Sequence, residues 1–317
     1  MLGFIARRVA RAVVLVVIVA SAAMVLLHLA PGDSFSGFDR PATEAAIERS
    51  RYGLDRPFLV QYTDWLGDLL TLDFGESIRF KRPVADLLVE RVGNTLLLGA
   101  GALVLALGIG LPAGVLTGQG RHGSLSRAIG AISVLLLSTP PLITALLCLL
   151  IASRTGWFPT GGLGTTTPGG GVFEMLAVTF RYMPLPALAL ALPIAASLER
   201  LQSQAIGEAL RDPCVIAAQA RGVSFNRVLW VHAWRLSLKP VLGVLGIVVG
   251  SVLSGSFVVE LVMTWPGLSQ LMVDALAAQD LRLAAGCAAV GAALLSAGLL
   301  AADIALAAVD PRIGEPT

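Results

Sequence analysis

The chain has 317 residues, 56% of them hydrophobic and 14% charged, with a mean hydropathy of +0.79. Soluble domains carry about 25% charged residues, so the composition is that of a membrane protein. The formal net charge of +2 carries no signal for nucleic acid, which is not an expected partner, and Cys148, Cys214 and Cys287 have no spacing suited to a disulfide framework or a zinc site.

Residues 9–30 form the first apolar run, preceded by Arg7 and Arg8. About 20 such residues cross a hydrocarbon core of about 30 Å. The run continues past Ala-Ser-Ala-Ala, so it reads as a retained span rather than a signal peptide. Residues 31–93 are a polar insertion with 11 acidic and 8 basic residues. Within it, 44–51 and 57–70 read as short helices, and 82–92 as an amphipathic piece leading into the next span. Spans are predicted over 94–118, 128–153, 183–204, 240–262 and 284–308. Pro140 and Pro141 fall inside the third and lack the N–H that a helix requires, which predicts a kink there. Between 154 and 182 lies a Gly- and Pro-rich loop. The segment from Met263 to Arg282 reads as a turn and an amphipathic helix, with Trp265 as an interfacial anchor.

Glu208 to Pro240, EALRDPCVIAAQARGVSFNRVLWVHAWRLSLKP, is a polar, arginine-bearing island between two apolar segments. Its centre predicts a short helix over 213–221. Asp212 suits the N-cap, Pro213 the first helical position, and Gly222 the left-handed residue past the end. Ser224 is placed to cap the next helix. Ala217, Ala218 and Ala220 give the rod thin sides.

Lys and Arg counts orient the chain. Twelve lie on the side shared by the N-terminus, the 119–127 turn, the 208–240 island with its flanks, and the tail; only Arg154, Arg181 and Arg282 lie on the shorter loops opposite. The long loop at 31–93 is discounted, so both termini and the island are predicted to be cytoplasmic.

E-A-L, A-A-Q-A-R-G, H-A-W-R and K-P within the island resemble the EAA loop of ABC-importer permeases, above all the peptide/nickel permease family. Further matching pieces follow in family order: LHLAPGD (27–33), YGLDRPFLVQYTDWLGDLL (52–70), DFGESIRFKRPVADLLVERVGNTL (73–96), STPPL (138–142), GWFPTGG (156–162), LPALALALP (185–193), WPGLSQLMVDA (265–275) and DPRI (310–313). The resemblance implies an all-α membrane protein of six transmembrane helices with the type I permease fold. It also implies a first helix within 1–30, a large extracytoplasmic insertion at 31–93, a five-helix core at 94–309 and a cytoplasmic tail at 310–317. A coupling loop at 206–238 would dock on an ATP-binding subunit through Glu208, Asp212, Ala217, Ala218, Arg221 and Gly222. Pro213 and Cys214 depart from the family pattern, where an acidic residue and an aromatic are common.

The implied partners are a second homologous permease, ATP-binding subunits or one fused ATPase, an extracytoplasmic solute-binding protein, membrane lipid and a peptide substrate. Nickel or metal-chelate uptake is the alternative within the family. No Gly-Lys-Ser/Thr loop is present, so ATP and magnesium are expected on the partner subunits, and the chain is expected to hold no cofactor, no metal and no catalytic site. An ion-coupled secondary transporter is the rival from another class; it predicts internal repeats and midplane charges. Asp303 lies about two turns before the tail, too near one end for a central relay, and is read mainly as a tie to a neighbouring helix. Glu260, at the end of the fifth span, is read either as a solvated helix end or as a pathway residue.

Overall fold

The computed structural model describes residues 2–31, 42–120, 123–163 and 172–309. The tail at 310–317 and the centre of the Gly-rich loop lie outside them. The described residues form helices α1 (Leu2–Leu29), α2 (Ala42–Arg51), α3 (Phe58–Leu70), α4 (Val84–Gly118), α5 (Ser124–Leu137), α6 (Pro141–Thr155), α7 (Val172–Tyr182), α8 (Pro184–Ala209) and α9 (Pro213–Ala220). Then come α10 (Phe225–Arg227), a π-helical turn (Val228–Ala233), α11 (Trp234–Gly243), α12 (Leu245–Val262), α13 (Leu268–Ala277) and α14 (Leu281–Val309). Among the described residues, five helices are long and apolar enough to cross a membrane, or six segments if the bent pair α5–α6 is one of them. Their exposed faces carry large apolar side chains such as Val13, Ile18, Leu26, Val104 and Ile247, as lipid contact requires.

Two expected spans take a different form. The amphipathic piece at 82–92 and the second span are one uninterrupted 35-residue helix, α4, because nothing in its first turns breaks the hydrogen-bond ladder. The third span is not a kinked helix. α5 and α6 meet at a bend of 114°, with Pro140 extended (φ −60°, ψ 149°) and Pro141 starting α6. Two successive residues without an N–H end one helix and begin another. By contrast Pro193 sits within a continuous α8.

The chain forms two compact units, residues 1–95 with 266–297, and 96–265 with 298–317. In the first, Leu27, Val84, Leu87, Leu88, Leu271 and Leu283 form one apolar cluster, and Ala20, Met24, Trp65, Leu69 and Ala289 another. Asp280, fully buried, fastens this unit together. It accepts hydrogen bonds from Ser77 Oγ (2.7 Å) and Arg79 N–H (3.1 Å), and caps α14 through Leu283 N–H (3.2 Å). Ser77 Oγ in turn accepts from Phe80 N–H. In the second unit, Leu98, Ala102, Leu190, Leu198, Val248, Val252 and Val259 pack around α8. Trp265 is completely buried in that cluster and so is a core residue, not the interfacial anchor its position suggested.

Candidate functional site

α9 is built as its sequence dictates. Asp212 has extended backbone (φ −66°, ψ 134°), and its Oδ1 accepts from Cys214 N–H at 2.9 Å. Pro213 follows at the first helical position. The other end closes as a Schellman motif: Gly222 has φ +83°, its N–H donates to Gln219 O (2.9 Å), and Val223 N–H donates to Ala218 O (3.3 Å). Ser224 occupies the next N-cap position, but its side chain makes no capping hydrogen bond there; the turn is closed by Val228 N–H to Ser224 O.

The rod has two faces. Val215 and Ala218 are buried within the chain at 0% and 1% exposure, and α9 packs on the π-helical turn. Cys214, Ile216, Ala217, Ala220, Arg221 and Gly222 are exposed. Of the two alanines assigned to docking, Ala217 is therefore on the accessible face and Ala218 is part of this chain's own packing. Glu208 is exposed at the end of α8. Arg211, Arg227, Arg235 and Lys239 are also exposed, giving the loop a cationic surface.

Asp212 and Cys214 tune one another. Hydrogen bonds from the Cys214 thiol and then its backbone N–H hold the Asp212 carboxyl below the usual carboxylate range. The same contact pushes the Cys214 thiol up. A raised thiol pKa means less thiolate at neutral pH, so Cys214 should alkylate more slowly than an ordinary exposed cysteine. Asp212→Asn keeps a competent cap but removes the charge, and should accelerate alkylation severalfold. Peptide-resolved iodoacetamide labelling of the isolated permease measures both rates; equal rates would refute the coupling.

Beneath the rod, α8 is held on two sides. Gly110, Gly114 and Gly118 of α4 recur every four residues against its backbone. A Cβ added at Gly110 would lie 2.6 Å from Ala195 O, one at Gly114 2.7 Å from Glu199 O, and one at Gly118 against Ser203 O. Such approach requires glycine. Glu199, 2% exposed, accepts from Thr117 Oγ of α4 through Oε1. Gln202, fully buried, donates from Nε2 to Ser237 Oγ of α11 at 2.8 Å. Ser237 Oγ donates onward to Trp234 O. The two legs of the island, α8 and α11, are thus bonded directly to each other. Val115, Ile206, Ala209, Leu229 and Ala233 fill the space around this junction. Sequence reasoning passed over Glu199 and Gln202; an acid and an amide within an apolar span were the available signal.

Glu260 is completely buried, so it is not a solvated helix end. Asp303 is half-buried and engaged in an interaction, as expected of an ionisable residue in a span. Neither belongs to the α9 surface. Among the described residues no group of three or more His, Cys, Asp or Glu side chains is placed to hold a metal ion.

Long apolar helices, with the capped short helix α9 in the loop that follows α8, define a multi-pass helical membrane protein. Residues 110–315 match the family "Binding-protein-dependent transport system inner membrane component", and residues 1–99 match its N-terminal companion family. The chain is 34% identical over 318 residues to the oligopeptide transport system permease protein AppB of Bacillus subtilis, covering 99% of each. It is 34% identical over 296 residues to a putative peptide permease protein of Brucella suis, covering 91% of this chain and 92% of that one. With the oligopeptide transport system permease protein OppB of Mycobacterium bovis it shares 33% over 327 residues, covering 99% of each. The chain belongs to the inner-membrane permeases of binding-protein-dependent ABC transporters, in the peptide and oligopeptide permease family. It is a transport component rather than an enzyme, and its system includes a binding protein and ATPase partners.

Proposed function

We propose that the chain forms one half of the translocation pathway of an ATP-driven importer of di- or oligopeptides, paired with a second, homologous permease. End-to-end similarity to oligopeptide permeases carries this reading. In it α5 and α6 together make one broken membrane segment, giving six in all, with both termini and α9 cytoplasmic and residues 31–93 on the side of the binding protein. α9 is the rod on which the ATPase pushes, through Asp212, Ala217, Arg221 and Gly222, with Glu208 beside it. The direct bond from Gln202 to Ser237 supports this role, because α9 then follows α8 instead of flexing on a loose loop. Glu260 and Asp303 are interior polar groups of the pathway half. Magnesium and ATP sit on the partner subunits.

Reconstitution tests it. The chain alone should hydrolyse no ATP, while the assembled transporter should take up a labelled peptide in proportion to loaded binding protein. With Cys214 replaced, a cysteine at Asn226 should react with impermeant reagents only from the cytoplasmic side, and one at Thr63 only from the outside. ATP turnover by the homogeneous chain, or the reverse labelling pattern, would overturn the reading.

A further inference from the structure

A cleft of about 180 Å³ opens in the unit formed by residues 1–95 and 266–297. Among the described residues, Arg51, Arg56 and Arg282 line it against one lining carboxylate, Asp64; Met24 and the buried Trp65 form part of the wall. Arg56 Nη1 lies 3.4 Å from Asp64 Oδ2, and Arg282 Nη2 4.0 Å from Asp68 Oδ2. Each guanidinium has five N–H donors, and these long, solvated pairs engage only a fraction of them. The Arg51 guanidinium stands 5.9 Å from the Tyr52 ring. The chain around the cleft is fixed: Gln61 Nε2 donates to Arg56 O at 2.8 Å, and the Arg282 guanidinium lies where a side chain on Gly75 (φ +71°) would be.

The position of the cleft selects its ligand. Met24 is five residues from the end of α1 at Leu29, about 8 Å along the helix at 1.5 Å per residue. Arg282 is the second residue of α14. The cleft therefore lies at the ends of two apolar spans, the level of lipid headgroups, where Arg side chains serve as interfacial anchors. On α1, Ile18, Val25 and Leu26 are 59%, 36% and 68% exposed, an apolar surface that continues from the cationic one into the span. We infer that the cleft binds the phosphodiester headgroup of an anionic phospholipid, whose acyl chains run along α1. This inference is independent of what the transporter carries.

The test uses the complete transporter in phosphatidylcholine nanodiscs containing acyl-photoactivatable phosphatidylglycerol, with adducts mapped by mass spectrometry. Adducts should fall on the Ile18–Leu26 stretch of α1, on the membrane side of the cleft. Arg51→Gln/Arg56→Gln/Arg282→Gln should reduce them about a hundredfold, roughly fivefold per guanidinium. Gly75→Ala removes no charge but displaces Arg282, and should also reduce them. If the triple variant fails to assemble, Arg51→Gln alone, at the exposed end of α2, should show the single-guanidinium loss. Photoactivatable phosphatidylcholine should label weakly, and millimolar inorganic phosphate should not compete. Equal labelling by the two lipids, unchanged labelling in the variants, or displacement by inorganic phosphate or by the binding protein would each overturn the proposal.

Discussion

Ala217→Arg should leave the permease folded and abolish both ATPase docking and uptake. The side chain of Ala217 points out of α9 on the same face as Cys214 and Arg221, so a long cation there meets nothing in this chain. In a packed groove it adds overpacking of about 1–3 kcal/mol and the cost of a desolvated charge, together several kcal/mol. Docking should weaken by two or more orders of magnitude at about 1.4 kcal/mol per tenfold. The neighbouring Ala218→Arg should instead destabilise the permease itself, since Ala218 is 1% exposed. Gly222→Val should resemble Ala217→Arg, because a β-branched residue resists φ +83° and the chain after α9 would be misdirected. Ser124→Arg, at an exposed position starting α5, is the control for bulk and charge. Copurification of the ATPase and peptide uptake are the measurements. If Ala217→Arg retains both, α9 is not the coupling rod.

Gly114→Val should fail in a different way, by loss of the folded permease. Its Cβ would sit 2.7 Å from Glu199 O and 2.5 Å from Gln202 Cβ. Neither can yield, because backbone carbonyls are fixed and Gln202 is bonded to Ser237. Separating α4 from α8 forfeits packing along three turns, at a cost of about 3 kcal/mol or more. Gly108→Ala, in the same helix with nothing within 4 Å of the added Cβ, should be neutral or gain up to about 1 kcal/mol of helix propensity. Thermal denaturation in detergent separates the two. Equal midpoints would mean that the close approach is not a feature of the protein.

Local chemistry made much of this legible. Asp-Pro before α9 and Arg-Gly after it define a helix by capping alone, and both caps are as expected. Hydropathy located the apolar parts of α1, α8, α12 and α14 to within about five residues at each end, while α4 begins at Val84, well before the predicted second span, and the third predicted span is the bent pair α5–α6. Tertiary choices were not legible. Which alanine of α9 turns inward depends on the π-helical turn beneath it, which no local pattern announces. Glu260 and Trp265 lie where an apolar run gives way to a turn, a pattern that resembles a membrane boundary, yet both are buried by residues from other helices. Charges at Asp86, Glu90 and Arg91 set 82–92 apart by polarity, but polarity does not interrupt a helix, so α4 runs through. At Pro140–Pro141 the sequence requires a break, but the size of the bend follows from what α5 and α6 pack against.

The Asp280 fastening has a consequence for biogenesis. Ser77 and Asp280 are 203 residues apart, and the unit they join draws on both the first 95 residues and residues 266–297. Ribosomes deliver about 5–20 residues per second, so the amino-terminal portion waits on the order of 10–40 s for its carboxy-terminal partner. During that interval Ser77 and the backbone N–H of Arg79 lack the acceptor they have in the finished protein. The first part of this unit to enter the membrane is thus among the last to be completed, and a chain truncated before Asp280 leaves it open.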